Sequence, residues 1–290
     1  MRLALIGPGG QIGTDVAKAA AAAGIDVLPL TRAECDVTDR PSLTRAFAPL
    51  RPGDIVVNTA AFHRTDECED RPDLAFGVNC TGAHNVSAAA NERGASVAFY
   101  SSDYVFGSAH ATQPYVESDR VAPVNVYGAS KVAGETLVRI ANPNAYVLRI
   151  ASVFGTAGSS GKGGNFVETM LAKARRGERI EVVDDIVMTP TYAADAAALT
   201  VALAARSAPA GVYHLTNSGP CSWCEFADGI FEAAGLATRA VAVASEHVAS
   251  RARRPAYSAL ASEKLGELGL ASRPWQAALR EYLVARGHIT

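Results

Sequence analysis

LALIGPGGQIGTDVAKAAAAAGIDVLPL, residues 3–30, runs from a short apolar stretch through a glycine-rich turn into an alanine-rich stretch closed by Gly24, and ends in a second apolar run. Strand, turn, helix, strand is the first unit of a parallel, nucleotide-binding α/β sheet. Gly7, Gly10 and Gly13, with Gln11 and Ile12 between the last two, form the turn. Such glycines permit a tight bend, let backbone N–H groups approach a pyrophosphate, and aim a helix N-terminus at it. The second strand ends in Leu30-Thr31-Arg32. An acidic residue there would hold the ribose 2′-hydroxyl of NAD, whereas an arginine accepts the 2′-phosphate of NADP. Arg32 therefore points to NADPH, with NADH as the alternative because Glu34 is close. Asp36 and Val37 follow, beside the expected adenine position.

Further along, DIVVNTAA is a buried strand whose end carries Asn58, Ala60 and Ala61 at the cofactor crevice. SVAFYSSDYVFG delivers Ser101, Ser102 and Asp103, and YVLRIASVFG is read as a single further strand. Asn79 and Asn85 fall inside a helix, where asparagine is unfavourable unless it hydrogen-bonds elsewhere. Alternation of strands and helices argues a doubly wound, Rossmann-type parallel sheet over residues 1–150. GVYHLTN, within a returning segment about 186–217, rejoins that sheet. Residues 151–185 and 218–290 then form a smaller substrate-binding lobe. It includes the loop GTAGSSGKGGNF, the short strand RIEVVDD and, after about Gly219, two helices.

Composition excludes several classes. With 290 residues, 49% hydrophobic, 19% charged and a net charge of −2, nothing suggests a nucleic-acid partner. The N-terminal apolar run stops at glycines, unlike a signal peptide, and no stretch is long enough to span a membrane, so a cytoplasmic protein is expected. The five cysteines lack zinc or redox spacing; Cys221-Ser-Trp-Cys224 overlaps an S-x-x-E capping box made by Ser222 and Glu225. No metal ligands are expected.

VNVYGASKVAGETLVRI places Tyr127 and Lys131 four residues apart, on one helix face. A neighbouring ammonium lowers a phenol's pKa towards the range where acid–base catalysis works. With GPGGQIG, NTAA, SSDYVFG, YGASK, GGNFVETML, TPTY, GVYHL and RPAYS in order, the chain resembles the dTDP-4-dehydrorhamnose reductase family of the extended short-chain dehydrogenase/reductases. The resemblance implies an oxidoreductase that reduces the 4-keto group of a nucleotide-linked deoxysugar, as in dTDP-rhamnose biosynthesis. It implies Ser102, Tyr127 and Lys131 as the catalytic set, with Tyr127 and Lys131 also touching cofactor and Asn79 orienting a water. It places Ser102, Asp103, Tyr104, Ser152, Asn165, Phe166 and Arg254 at the substrate, with Arg253 beside Arg254; the residues do not give the oligomeric state, and a homodimer is one possibility.

Two departures stand out. Gly107-Ser108 replaces the family's usual Asp-Gly, and Ser152 stands where the family tends to carry tryptophan. The alternatives are an epimerase or dehydratase on the same scaffold, or a non-catalytic dinucleotide-binding regulatory subunit. Dehydratases carry an Asp-Glu pair where this chain has Asp103-Tyr104.

Overall fold

The computed structural model describes residues 1–107, 111–157 and 164–290; Ser108 and the middle of the glycine-rich loop lie outside the described residues. Six strands form a parallel sheet: β1 (Leu3–Ile6), β2 (Val27–Leu30), β3 (Ile55–Asn58), β4 (Ser96–Ser102), β5 (Ala145–Ile150) and, much later, β10 (Gly211–His214). Their order is β10-β5-β4-β3-β1-β2. The expected returning strand is β10, parallel to β5 in a register that sets His214 beside Arg149. Because β1 lies between β2 and β3, the winding direction reverses there, and the crevice outside that switch point is where such sheets bind ligands.

Alternation on the strands decides which helix covers which face. Leu3, Leu5, Ile55 and Val57 face α1 (Gln11–Ala22) and α8 (Ala193–Ala205), packing on Val16, Ala20, Ala197 and Val201. Ala4, Ile6, Val56 and Phe99 face the other way. There they meet α2 (Arg40–Ala46), α5 (Ala83–Asn91) and α6 (Val126–Ala141) through Leu43, Val86 and Val138. Each fully buried aliphatic side chain contributes about 1.5–3 kcal/mol.

Between β3 and α5 the chain makes α3 (Thr65–Asp70), α4 (Pro72–Phe76) and a π-helical turn over Gly77–Gly82. Both asparagines of this region reach outside their helix. Asn85 donates to the Val37 carbonyl at 3.4 Å. Asn79, fully buried in the π turn, exchanges hydrogen bonds with the backbone of Phe62 at 2.8 and 2.9 Å and donates to Ser130 Oγ at 3.0 Å.

A second core is built from α7 (Phe166–Arg175), β7 (Glu181–Val183), β8 (Val187–Met188), β9 (Thr191–Tyr192), β11 (Cys221–Ser222), α9 (Trp223–Ala233) and α11 (Trp275–Ala285), with β12 (Val241–Val243) at its edge. The short α10 (Lys264–Glu267) packs instead on the sheet at β10, so three helices follow Gly219 where two were expected. β7 pairs with β12, β8 with β11. The capping box of Ser222 and Glu225 is formed at the start of α9, and burial pushes the Cys221 thiol up to about 12.

The expected strand across residues 146–155 is two strands. Ser152 has φ 43°, a left-handed value at which an L-residue cannot continue a strand. β5 ends before it, and β6 (Val153–Phe154) turns away to pair with β9.

His214 joins the sheet to the C-terminal segment. Its Nδ1 faces the Ala261 carbonyl at 2.8 Å and its Nε2 faces Arg149 Nη1 at 3.3 Å. Burial, chiefly, holds it neutral and depresses its pKa to about 4. Below about pH 6.5 the unfolded chain takes up a proton that the folded chain refuses. Stability contributed at neutral pH is therefore lost as pH falls from about 6.5 to 4, with a slope of up to about 1.4 kcal/mol per pH unit. Urea unfolding of wild type and His214→Gln across that range should show a shallower pH dependence in the variant.

Candidate active site

At the C-terminal ends of β3, β4 and β5 the sheet opens into a cavity of about 590 Å³. Gly10, Gln11, Ile12, Ala61, Ser102, Asp103, Tyr104, Tyr127, Lys131, Ser152, Asn165, Phe166 and Arg254 all line it. The spacing argument for Tyr127 and Lys131 is realised, since both side chains reach the same cavity from α6.

Helix α6 is started by Asn125, whose Oδ1 accepts from Gly128 N at 2.8 Å, and by Glu69, which accepts from Val126 N at 2.8 Å. It packs with almost no gap: a Cβ at Gly128 would sit 2.1 Å from the Tyr104 carbonyl oxygen, and one at Gly134 2.2 Å from that of Asn79. Lys131 is 1% exposed. Its Nζ donates to the Tyr100 carbonyl at 2.6 Å and lies 4.1 Å from the centre of the Phe99 ring. Burial pulls its pKa down to about 7, against an opposing pull from Glu135.

The Tyr127 phenol departs from the sequence reading. Burial raises its pKa above the ordinary value, and a hydrogen bond with Ser102 opposes this only in part. The physical reason is that Lys131 directs its ammonium to a backbone carbonyl and is itself inclined to neutrality. Tyr127 is thus a protonated phenol at neutral pH, which suits a proton donor. Ser102 is both a cap and a cavity group: its Oγ accepts from Tyr104 N at 3.2 Å and donates to Asp103 Oδ1 at 3.0 Å. Asp103, buried, accepts from Ser258 at 2.6 Å through its other oxygen, and burial raises its pKa to about 6.

The glycine turn fits a dinucleotide. A Cβ at Gly13 would lie 2.0 Å from the Gly7 carbonyl oxygen, and Gly7 has φ +79°. The first turn of α1 has neither a side-chain cap nor an acidic residue, leaving its N–H groups to an anion. Gln11 Oε1 is buried without a hydrogen-bond partner. Gly7, Gly13, Asn58 and Ala60 stand behind this surface rather than on it; Asn58 Oδ1 caps Ala60 N at 3.0 Å.

Arg32 is exposed at the end of β2, outside the cavity. Glu34 spends its carboxylate on the Thr31 amide and hydroxyl, at 2.9 and 2.7 Å. Asp36 likewise binds Thr38, through both the amide and the hydroxyl. Val37 is a core residue, 6% exposed, so of these four Arg32 is the one that carries a cation at the surface, with Asp36 near enough to feel its charge.

Three further expectations change. Asn79 lies away from the cavity, and its amide is committed to Phe62 and Ser130. Those bonds tie α6 to the loop after β3. Asn165 borders the cavity but uses its amide as the cap of α7 and as donor to Gly155 O and Tyr282 Oη, both at 3.0 Å. The two arginines separate: Arg254 lines the cavity, donating to Tyr104 Oη at 3.0 Å with Asp66 at 3.6 Å, whereas Arg253 is exposed and outside it.

The structure adds His63, Thr65, Tyr100, Thr169, Trp223 and Phe226 to the lining. Phe166 packs edge-on to Trp223 with ring centres 4.7 Å apart and stacks on Phe226 at 5.6 Å. Phe154 and Tyr104 line the same cavity, so it has aromatic walls although Ser152 stands at the position where the family tends to carry tryptophan. Among the described residues no group of three or more His, Cys, Asp or Glu side chains could hold a metal ion. Nor is any helix long and apolar enough to cross a membrane.

The left-handed backbone at Ser152, on the cavity rim, costs about 1–2 kcal/mol for a residue with a Cβ. Ser152→Gly should therefore hold its urea midpoint or raise it. Ser152→Val, whose branched side chain tolerates that φ least, should lose at least about 1 kcal/mol.

Comparison with known proteins agrees with this geometry. Residues 1–286 match the family model of the RmlD substrate binding domain. The spore coat polysaccharide biosynthesis protein SpsK of Bacillus subtilis is 39% identical over 285 residues, covering 98% of each chain. A dTDP-4-dehydrorhamnose reductase of Mycolicibacterium smegmatis is 37% identical over 286 residues, 98% of this chain and 85% of the relative. The crystal structure of a dTDP-4-dehydrorhamnose reductase from Bacillus anthracis, in complex with NADP, superposes with a TM-score of 0.90 at 32% identity, covering 98% and 99% of the two chains. A Rossmann-type sheet with a Tyr–Lys helix at its switch-point cavity, matched end to end by these relatives, shows that the chain belongs to the RmlD substrate-binding domain family of the extended short-chain dehydrogenase/reductases.

Proposed function

We propose that the chain is an NADPH-dependent reductase of the 4-keto group of a nucleotide-linked deoxysugar, a dTDP-4-dehydrorhamnose reductase-like enzyme. The observation that carries this reading is the convergence of Ser102, Tyr127 and Lys131 on one cavity between the glycine turn and the aromatic lobe. Gly10, Gln11, Ile12 and the N-terminus of α1 would hold the dinucleotide, with Arg32 at the 2′-phosphate. NADPH, when bound, supplies hydride to the carbonyl carbon. Ser102, turning its hydroxyl from Asp103 Oδ1, donates a hydrogen bond to the carbonyl oxygen and stabilises negative charge as it grows there. Tyr127, a phenol at neutral pH, gives that oxygen its proton. Lys131 can hold the cofactor ribose and, when its amine is protonated, adds positive charge to the cavity in which the phenol gives up its proton. The lobe closes the far side: Phe166 and Trp223 offer flat apolar faces, and Arg254 offers a guanidinium to a diphosphate.

Tyr127→Phe removes the proton and little volume. NADPH consumption with dTDP-4-dehydrorhamnose should fall by roughly two to four orders of magnitude, with NADPH binding retained. Near-normal turnover in that variant would refute the assignment. An epimerase would instead keep its cofactor and show no net NADPH consumption, and a regulatory subunit would show no turnover with any 4-keto sugar.

The separation of the two arginines supplies a second test. Losing one charge-assisted hydrogen bond costs about 1.5–3 kcal/mol, so Arg254→Ala should raise the substrate KM by about ten- to a hundredfold. Arg253→Ala should leave it within about twofold, and equal effects from both would remove Arg254 from the proposed phosphate site.

A further inference from the structure

One helical turn beyond Lys131 lies a buried ion pair that the chemistry above does not use. Glu135 is 6% and Arg149 4% exposed. Arg149 grips the carboxylate at both ends, Nε to Oε1 at 2.9 Å and Nη2 to Oε2 at 2.8 Å. Ser101, which lines the cavity, donates to the same Oε1 at 2.5 Å. Arg149 is backed by the Phe106 ring at 5.0 Å and by His214 at 3.3 Å.

A buried pair of this kind is a poor source of stability, because desolvating both charges offsets most of their attraction. Its position is more informative. Glu135 follows Lys131 by four residues on α6 and shares its face. The pair thus sits between the reacting cavity and the C-terminal segment that His214 contacts.

The other groups around the lysine can be named element by element. On α6 there is Tyr127, an uncharged phenol. On β4 there are the Tyr100 carbonyl that holds Nζ and the Phe99 ring beneath it, while the Ser101 hydroxyl is turned to Glu135. Past the end of β4, Asp103 acts on Tyr127. From α1, Asp15 acts on the Tyr100 phenol. Glu135 is the group whose charge acts on Lys131 itself, opposing its burial.

We propose that the Glu135–Arg149 pair sets the charge of Lys131, with Glu135 holding the ammonium protonated and Arg149 limiting how much of the carboxylate's charge reaches it. Both are positioning residues. The proposal rests on the catalytic reading of Lys131 given above.

The test reads the lysine directly. The full-length protein without added nucleotide is acetylated with acetic anhydride across a pH series, and modification of the Lys131 peptide is followed by mass spectrometry. Only the neutral amine reacts, so the midpoint reports the charge of Lys131 without turnover. Glu135→Gln should move the midpoint to lower pH by about 1–3 pH units, the effect of removing an opposite charge nearby. Arg149→Met should move it to higher pH, and Glu135→Asp should restore it close to wild type. The alkaline limb of kcat/KM should follow the same directions.

Ser101→Ala keeps the ion pair intact and serves where Glu135→Gln fails to fold. Freeing Oε1 from its hydroxyl partner should move the midpoint to higher pH. Shifts of opposite sign are required of the Gln and Met variants; midpoints that stay put, or move together, overturn the proposal, as does an unmoved midpoint in Ser101→Ala. Lys131→Met separates the two levels. Full turnover there would overturn the role of Lys131, whereas its inactivity combined with unmoved midpoints overturns only the role of the pair.

Discussion

Helix α6 lies against the strand-end turn after β4 and the π-helical turn at Asn79 with room for hydrogens alone at Gly128 and Gly134. That approach fixes the helix in both rotation and height, because a slide of even one residue would drive a side chain into a backbone carbonyl. The polar groups at the contact agree with the packing. Asn79 ties Phe62 to Ser130, and Ser130 donates onward to the Tyr127 carbonyl at 2.7 Å. Tyr127 and Lys131 therefore reach the cavity as parts of a rigid body clamped from two sides. The proton-donor role proposed for Tyr127 requires a phenol held to within a fraction of an ångström, and backbone contact fixes the helix that carries it.

The second constraint is electrostatic. Lys131, Glu135, Arg149 and Asp103 are all buried at or behind the cavity, and burial lowers the pKa of Lys131 and raises that of Asp103. Lys131 is satisfied by a carbonyl and an aromatic face, and Asp103 by two serine hydroxyls. In such surroundings the proton inventory is set by a few neighbours and not by solvent. Ser258 and Arg254 bring the C-terminal segment into this arrangement by binding Asp103 and Tyr104. Docking of that segment and the ionisation of the site are thus linked.

Local patterns carried most of the fold and much of the site into view from the sequence. The glycine turn, the Tyr127–Lys131 spacing, the Ser222 capping box and the returning strand at β10 are each written within a few residues, and the structure contains all of them. What escaped depends on distance or on an unusual backbone. A serine at φ 43° gives no sign in the letters around it, so in the sequence β5 and β6 look like one strand. Trp223 begins a well-capped helix, and that structural role hid its place on the cavity wall. His63 and Thr65 follow the end of β3 and were within reach of the strand-end rule, had it been extended past Ala61. The neutral tendency of Lys131 comes from burial that only the assembled sheet supplies.

The second core is assembled from two lengths of chain, residues 154–192 and 221–283, with α8 and β10 between them committed to the main sheet. Its centre includes Tyr282, fully buried on the last helix, where it meets Phe154 edge-on at 5.4 Å and accepts from Asn165. On the ribosome, synthesis runs from the N-terminus, so the dinucleotide sheet has all its strands before the lobe has its closing helix. Contacts so far apart along the chain form late, since the loop they close must be ordered first. The aromatic wall of the cavity therefore depends on chain that is synthesised after every strand of the dinucleotide sheet.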